Sequence, residues 1–218
     1  MSPHVLVLVG SLRAGSTNAQ LADAAIAHLP AGVDGTVFAR LAELPHYSED
    51  LDHDDSLPEV ARDLREAVAD ADAVLLVSPE YNGSLPGVLK NAVDWVSRPR
   101  GAAAIAGKPA AVIGASGSPR GAQWAREDGI KVLKVAGAAP LEDTVGVGSA
   151  TSLVRVGFHH QPASARARMS VETTPIRARR RARSRRANAT KCSIDAPAAR
   201  CGWLADSSVR VRGILMRR

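Results

Sequence analysis

Val5-Leu6-Val7-Leu8-Val9 is an unbroken apolar run that closes at Gly10. A run without polar alternation marks a strand buried on both faces, as in a parallel sheet. Ala73-Val74-Leu75-Leu76-Val77 and residues 109–115 repeat the pattern, and 33–41 can supply another strand. Between these runs the apolar spacing becomes helical. Leu21, Ala25, Ile26 and Leu29 share one face of a helix over 19–29, which Pro30 stops. Val60, Leu64, Ala67, Val68 and Ala71 do the same over 58–71. Residues 86–97 read as a third helix with Pro86 in its first turn, and 124–135 as a fourth. A weaker fifth strand falls around 144–147.

Strands and helices therefore alternate through about residue 148, which predicts an α/β domain with a parallel sheet covered on both faces. Ligands of such sheets bind beyond the carboxyl ends of the strands, near the switch point. The loops after the first, third and fourth strands are the places to look for chemistry.

Composition divides the chain near Thr151. Residues 1–150 hold 12 Lys and Arg against 19 Asp and Glu, whereas 151–218 hold 16 against 3. The net charge of +6 thus averages a mildly acidic body and a strongly basic tail. Arg177–Arg186 alone contains seven arginines, and Arg, Ala, Pro, Ser and Gly dominate throughout 151–218. That is the composition of a GC-rich gene read in a shifted frame, so the tail is expected to be replaced sequence and poorly ordered. Its arginines could grip a phosphate backbone, but a nucleic-acid partner is not the expectation. No apolar run reaches the roughly 18–20 residues that a bilayer requires, and the start lacks the basic region of a signal peptide. Both cysteines, Cys192 and Cys201, lie in the tail at a spacing that matches no zinc pattern. A cytoplasmic protein without a membrane partner or a metal is expected.

Gly10-Ser11-Leu12-Arg13-Ala14-Gly15-Ser16-Thr17-Asn18 joins the first strand to the first helix. Glycines permit tight turns, and hydroxyls with helix N-terminal N–H groups can cradle a phosphate, to which Arg13 adds a charged fork. Gly10-x4-Gly15 has the glycine spacing of a P-loop, yet Ser16-Thr17 stands where that loop needs Lys-Ser/Thr. What remains suits one terminal phosphate. The other reading is a plain helix start, capped by Ser16 or Asn18, with Arg13 solvated.

Pro79-Glu80-Tyr81-Asn82-Gly83-Ser84-Leu85-Pro86-Gly87 follows the third strand and leads into Val88-Leu89-Lys90-Asn91-Ala92-Val93-Asp94-Trp95. Turn formers here hold Tyr81 and Asn82 at a strand end, where a planar ring could lie on the backbone. Together with the first loop, this block resembles the NADPH-dependent FMN reductase family; Gly107-Lys108-Pro109 and Gly114–Gly117 resemble the family's fourth-strand region. The similarity covers about residues 4–148.

The resemblance implies a flavodoxin-like, doubly wound, five-stranded parallel sheet in the order 2-1-3-4-5. It implies bound FMN, with NADPH or NADH as the reductant and a quinone, flavin or other small molecule as the acceptor. Ser11, Arg13, Ser16 and Asn18 would hold the FMN phosphate. Pro79, Glu80, Tyr81, Asn82 and Gly83 would line the ribityl and isoalloxazine side, with Ser116 and Gly117 approaching from the third loop. No side chain is assigned as catalytic acid or base. Asn91, Asp94 and Trp95 would fix the helix and subunit contacts of a homodimer or homotetramer. The loop 44–51 is either a border of the site, a subunit contact or plain surface. The alternative from another class is a flavodoxin-type electron carrier that binds FMN without oxidising a nicotinamide.

Overall fold

Alternate side chains of a strand face opposite sides of a sheet, and here both sides meet helices. The computed structural model describes residues 2–150. Strands β1 (His4–Val9), β2 (Asp34–Val37), β3 (Ala73–Val77) and β4 (Pro109–Ala115) run parallel in the order β2-β1-β3-β4. The fifth position is shared by two short pieces, β5 (Ala139–Pro140) and β6 (Val145–Val147), which both pair with β4. This is the expected flavodoxin-like order, with the weak fifth strand interrupted between residues 140 and 145.

Leu6, Leu8, Val74, Leu76, Ala110 and Val112 form one core with helices α2 (Glu59–Asp70), α3 (Gly87–Val96) and α4 (Gln123–Val135). Val5, Val7, Leu75, Val77, Ala111 and Ile113 form the other with α1 (Thr17–Ala27). The same runs feed both cores, which is why they carry no polar residue.

Helix and strand bounds lie close to those expected, with one instructive exception. β2 ends at Val37 rather than near residue 41. Beyond it Leu41 and Leu44 leave the sheet edge and enter the α2–α3 core, through a 3-10 turn at Leu41–Glu43. The loop 44–51 is likewise anchored. Asn91 accepts from Tyr47 N–H at 2.8 Å and donates to the Pro45 carbonyl at 2.9 Å, and Trp95 Nε1 donates to that carbonyl at 2.9 Å. Trp95 is fully buried, with Tyr47 edge-on at 5.0 Å, so its place is the core. Asp94 instead pairs with Lys90 one turn away.

The register aligns the carboxyl ends of the strands. Val9 sits beside Val77, and Val77 beside Ile113. The basic tail with Cys192 and Cys201 lies outside the described residues, as do the expectations attached to it. Among the described residues no helix is long and apolar enough to cross a membrane.

Candidate functional site

Because β1, β3 and β4 are neighbours in register, the loops that follow them emerge side by side. The sheet changes winding direction between β1 and β3, the point at which a parallel sheet leaves a crevice for a ligand. Two glycines permit close approach, one to the side chains at the start of α3 and one to the backbone just past β3. A Cβ on Gly10 would lie 2.7 Å from Pro86 Cγ, and one on Gly114 would lie 2.5 Å from the Ser78 carbonyl oxygen.

In the first loop Ser16 is the N-cap of α1, its Oγ accepting from Ala19 N–H at 3.0 Å. The next two N–H groups, those of Thr17 and Asn18, have no intrahelical acceptor and no other partner among the described residues. Arg13 is exposed, and its guanidinium has no partner among the described residues. Ser11 is partly buried nearby. Asn18 is buried and its amide is occupied, donating to the Ala115 carbonyl and accepting from Ala115 N–H, each at 2.9 Å. The capped start and the phosphate cradle are therefore compatible. One serine oxygen caps, and free backbone donors with a free guanidinium remain.

In the second loop Tyr81 and Ser84 exchange backbone hydrogen bonds of 3.2 Å around Asn82 and Gly83, whose φ angles are 52° and 75°. Two left-handed residues in succession make a type I′ hairpin turn, the geometry favoured by Asn-Gly. Tyr81 is 52% exposed at its base, while Pro79 is buried. Glu80 does not face the ligand crevice with a free carboxylate. Its Oε2 accepts from Trp124 N–H at 2.9 Å and Ala125 N–H at 3.4 Å, which caps α4. At the far end of the hairpin Ser84 Oγ donates to Asp128. Asp128 is held below the usual carboxylate range, first by its bond to Lys131 and then by Ser84.

In the third loop Ser116 Oγ accepts from Ala122 N–H at 3.3 Å and donates to the Ser118 carbonyl at 3.2 Å. Gly117 is exposed. Gly121 and Ala122 follow with φ of 57° and 55°, and for alanine that conformation costs about 1 kcal/mol. Arg126 donates to the Gly121 carbonyl at 2.9 Å and to Thr144 Oγ1. Burial lowers the Arg126 pKa, and neighbouring Glu127 and Glu80 oppose the shift.

The structure thus gathers all eleven expected residues in the segments that follow β1, β3 and β4, at the carboxyl ends of these strands. Sequence reasoning missed Trp124, Arg120, Arg126 and Asp128. None of these four carries a local signal of its own; the Asn82-Gly83 dipeptide marks only the tight hairpin whose Gly83 lies against Trp124. Among the described residues no cluster of His, Cys, Asp or Glu could hold a metal ion.

Residues 3–152 match the family model described as NADPH-dependent FMN reductase. A 2-hydroxy-1,4-benzoquinone reductase of a Burkholderia species is 50% identical over 116 residues, 53% of this chain and 62% of that protein. An NAD(P)H-dependent FMN reductase of Pseudomonas aeruginosa is 44% identical over 112 residues, 51% of this chain and 59% of that protein. The chain therefore spans about three-fifths of the length of these curated relatives. Among solved structures, a flavoenzyme NAD(P)H:(acceptor) oxidoreductase from Paracoccus denitrificans matches with a TM-score of 0.60 and 38% identity. That match covers 64% of this chain and 75% of the other.

Proposed function

The chain belongs to the NADPH-dependent FMN reductase family, and from that premise we propose that it binds FMN at the three loops and reduces small acceptors with NAD(P)H. The observation that carries this reading is the set of free donors where the first loop enters α1: the Thr17 and Asn18 N–H groups, with the unpaired Arg13 in the same loop. A phosphate dianion at a helix N-terminus gains from both the donors and the helix dipole.

Ser11, Arg13, Ser16 and Asn18 surround the phosphate in this reading, with Asn18 contributing its backbone N–H while its amide holds the loop to β4. Pro79 and the Tyr81–Gly83 turn line the ring side, Glu80 fixes that turn from behind, and Ser116 and Gly117 close the third side. FMN held there would supply the redox chemistry between the nicotinamide and an acceptor. The chain's part would be to position the ring, and one site serving two substrates in turn predicts ping-pong kinetics.

A quinone acceptor is supported by the names of the relatives. Those names also favour a reductase over an electron carrier. Residues 1–150 carry the whole site in this reading. Assembly as a homodimer or homotetramer and a cytoplasmic location belong to the same reading and rest on the resemblance alone.

Anaerobic addition of NADPH or NADH to the FMN-loaded chain should bleach the visible flavin band, and a quinone should restore it. A loaded protein that stays oxidised with both nucleotides would refute the reductase.

A further inference from the structure

Arg120 stands apart from the arginines whose role is evident. Its guanidinium lies over the Trp124 ring, 4.6 Å from the centroid. None of its side-chain N–H groups has a hydrogen-bond or carboxylate partner among the described residues. Trp124 is 49% exposed, and its ring is the nearest neighbour that a Cβ on Gly83 would meet, at 3.4 Å. The stack therefore abuts the Asn82-Gly83 turn.

The backbone beneath this pair is fixed from several directions. Arg126 donates to the carbonyls of Gly121 and, at 3.5 Å, of Arg120. Arg120 N–H donates to Ser118 Oγ at 3.3 Å. A Cβ on Gly121 would lie 2.7 Å from the Gly146 backbone, which excludes any larger residue. Glu80 holds the Trp124 N–H itself. An exposed guanidinium on so constrained a base loses less freedom on meeting an anion, and its fork matches phosphate oxygens.

The sheet order separates this cation from the other free one at the site. Arg13 follows β1 and Arg120 follows β4, with β3 between them. The strands they follow are two spacings apart, roughly 10 Å. A single phosphate at α1 uses Arg13 and leaves Arg120 for a second anionic group, on the other side of the Tyr81–Ser84 hairpin.

We infer that Arg120, stacked on Trp124, recognises a phosphate of the reducing dinucleotide. The inference rests on the reductase reading for the identity of that nucleotide. The anionic group is either the pyrophosphate common to NADH and NADPH or the 2′-phosphate of NADPH. Both present the same chemistry to the guanidinium.

The test is a titration of the full chain, following Trp124 fluorescence, with ADP-ribose and with 2′-phospho-ADP-ribose, which share a pyrophosphate and differ only in the 2′-phosphate. Arg120→Ala should weaken at least one of them by roughly tenfold or more, the loss expected for a charge-assisted hydrogen bond. Weakening confined to 2′-phospho-ADP-ribose assigns the 2′-phosphate, and equal weakening of both assigns the pyrophosphate. Trp124→Phe serves as the control that assigns the signal. The arginines beyond residue 150 are common to wild type and variant, so the difference isolates Arg120. In turnover, Arg120→Ala should raise KM for the matching nucleotide far more than it lowers kcat. Unchanged dissociation constants for both ligands would overturn the inference even if the chain reduces its flavin. Failure of NADPH and NADH to reduce the flavin would instead refute the reductase reading, and the titration would still decide what Arg120 binds.

Discussion

Asn18 and Ala115 are 97 residues apart in sequence and are joined by two hydrogen bonds of 2.9 Å, one in each direction. The pair ties the start of α1 to the end of β4, so the first and third loops share one reference point. Asn18→Ala leaves a buried N–H and a buried carbonyl without partners, at a cost of about 2–4 kcal/mol. Asn18→Asp keeps an acceptor for Ala115 N–H but sets a carboxylate oxygen against the Ala115 carbonyl, and should cost at least as much. Denaturant midpoints measure the loss, and FMN affinity should fall with it as the first loop drifts. An Asn18→Ala protein within about 0.5 kcal/mol of wild type would show that the pair does not hold the loops.

Two glycines on this edge should differ in tolerance. The Cβ of Gly10→Ala meets Leu89 Cδ1 at 2.6 Å and Pro86 Cγ at 2.7 Å. The leucine can rotate, and the proline ring can give a little. Gly114→Ala instead meets the Ser78 carbonyl oxygen at 2.5 Å, which belongs to the backbone just past the end of β3. Overpacking of this kind costs about 1–3 kcal/mol, and Gly114→Ala should sit at the upper end. Thermal melts of both variants check the ranking, and a larger loss for Gly10→Ala would contradict it.

The sheet was legible because its strands are buried on both faces, so runs such as 5–9 and 73–77 contain little but aliphatic residues. The end of β2 was not, because Leu41 and Leu44 are apolar whether they extend a strand or fold under α2. The site loops were recognisable from glycines, hydroxyls and Arg13, yet the division of labour within them was hidden. Glu80 looks like a free carboxylate until α4 is placed against it, and Asn18 looks like a ligand until β4 is. Such roles depend on partners 44 and 97 positions away, which no local pattern encodes.

The Glu80 cap predicts a graded pair of variants. Ala122, the residue at the N-cap position of α4, provides no side-chain hydrogen bond, so the carboxylate of Glu80 takes over that duty across 44 residues. Glu80→Ala removes the acceptor and the favourable charge at the helix start, about 1 kcal/mol of stability. Glu80→Gln keeps an oxygen for Trp124 N–H and should recover more than half of that loss. Because the same carboxylate holds the Tyr81–Ser84 hairpin, FMN affinity should follow the same order, glutamate above glutamine above alanine. Weaker binding in Glu80→Gln than in Glu80→Ala would mean that the residue acts on the flavin by another route.

The Ser84–Asp128 contact gives the hairpin a pH-dependent end. Asp128 is held below the ordinary carboxylate range, chiefly by its hydrogen bond to Lys131 and next by Ser84. A group with a depressed folded-state pKa stabilises the fold fully above its unfolded value, about pH 4, and that contribution fades as pH falls through the folded value. Asp128→Asn can still accept from Ser84, so it removes the charge and leaves the clasp. Wild type should therefore melt above Asp128→Asn at pH 7, and the gap should narrow as the pH drops below about 4. Ser84→Ala removes the neutral partner and should shrink the gap at neutral pH without abolishing it, since Lys131 still pairs with the carboxylate at 2.5 Å. A gap that stayed constant from pH 7 to pH 3 would show that the Asp128 charge contributes nothing, and that the hairpin is held by its turn and by Glu80 alone.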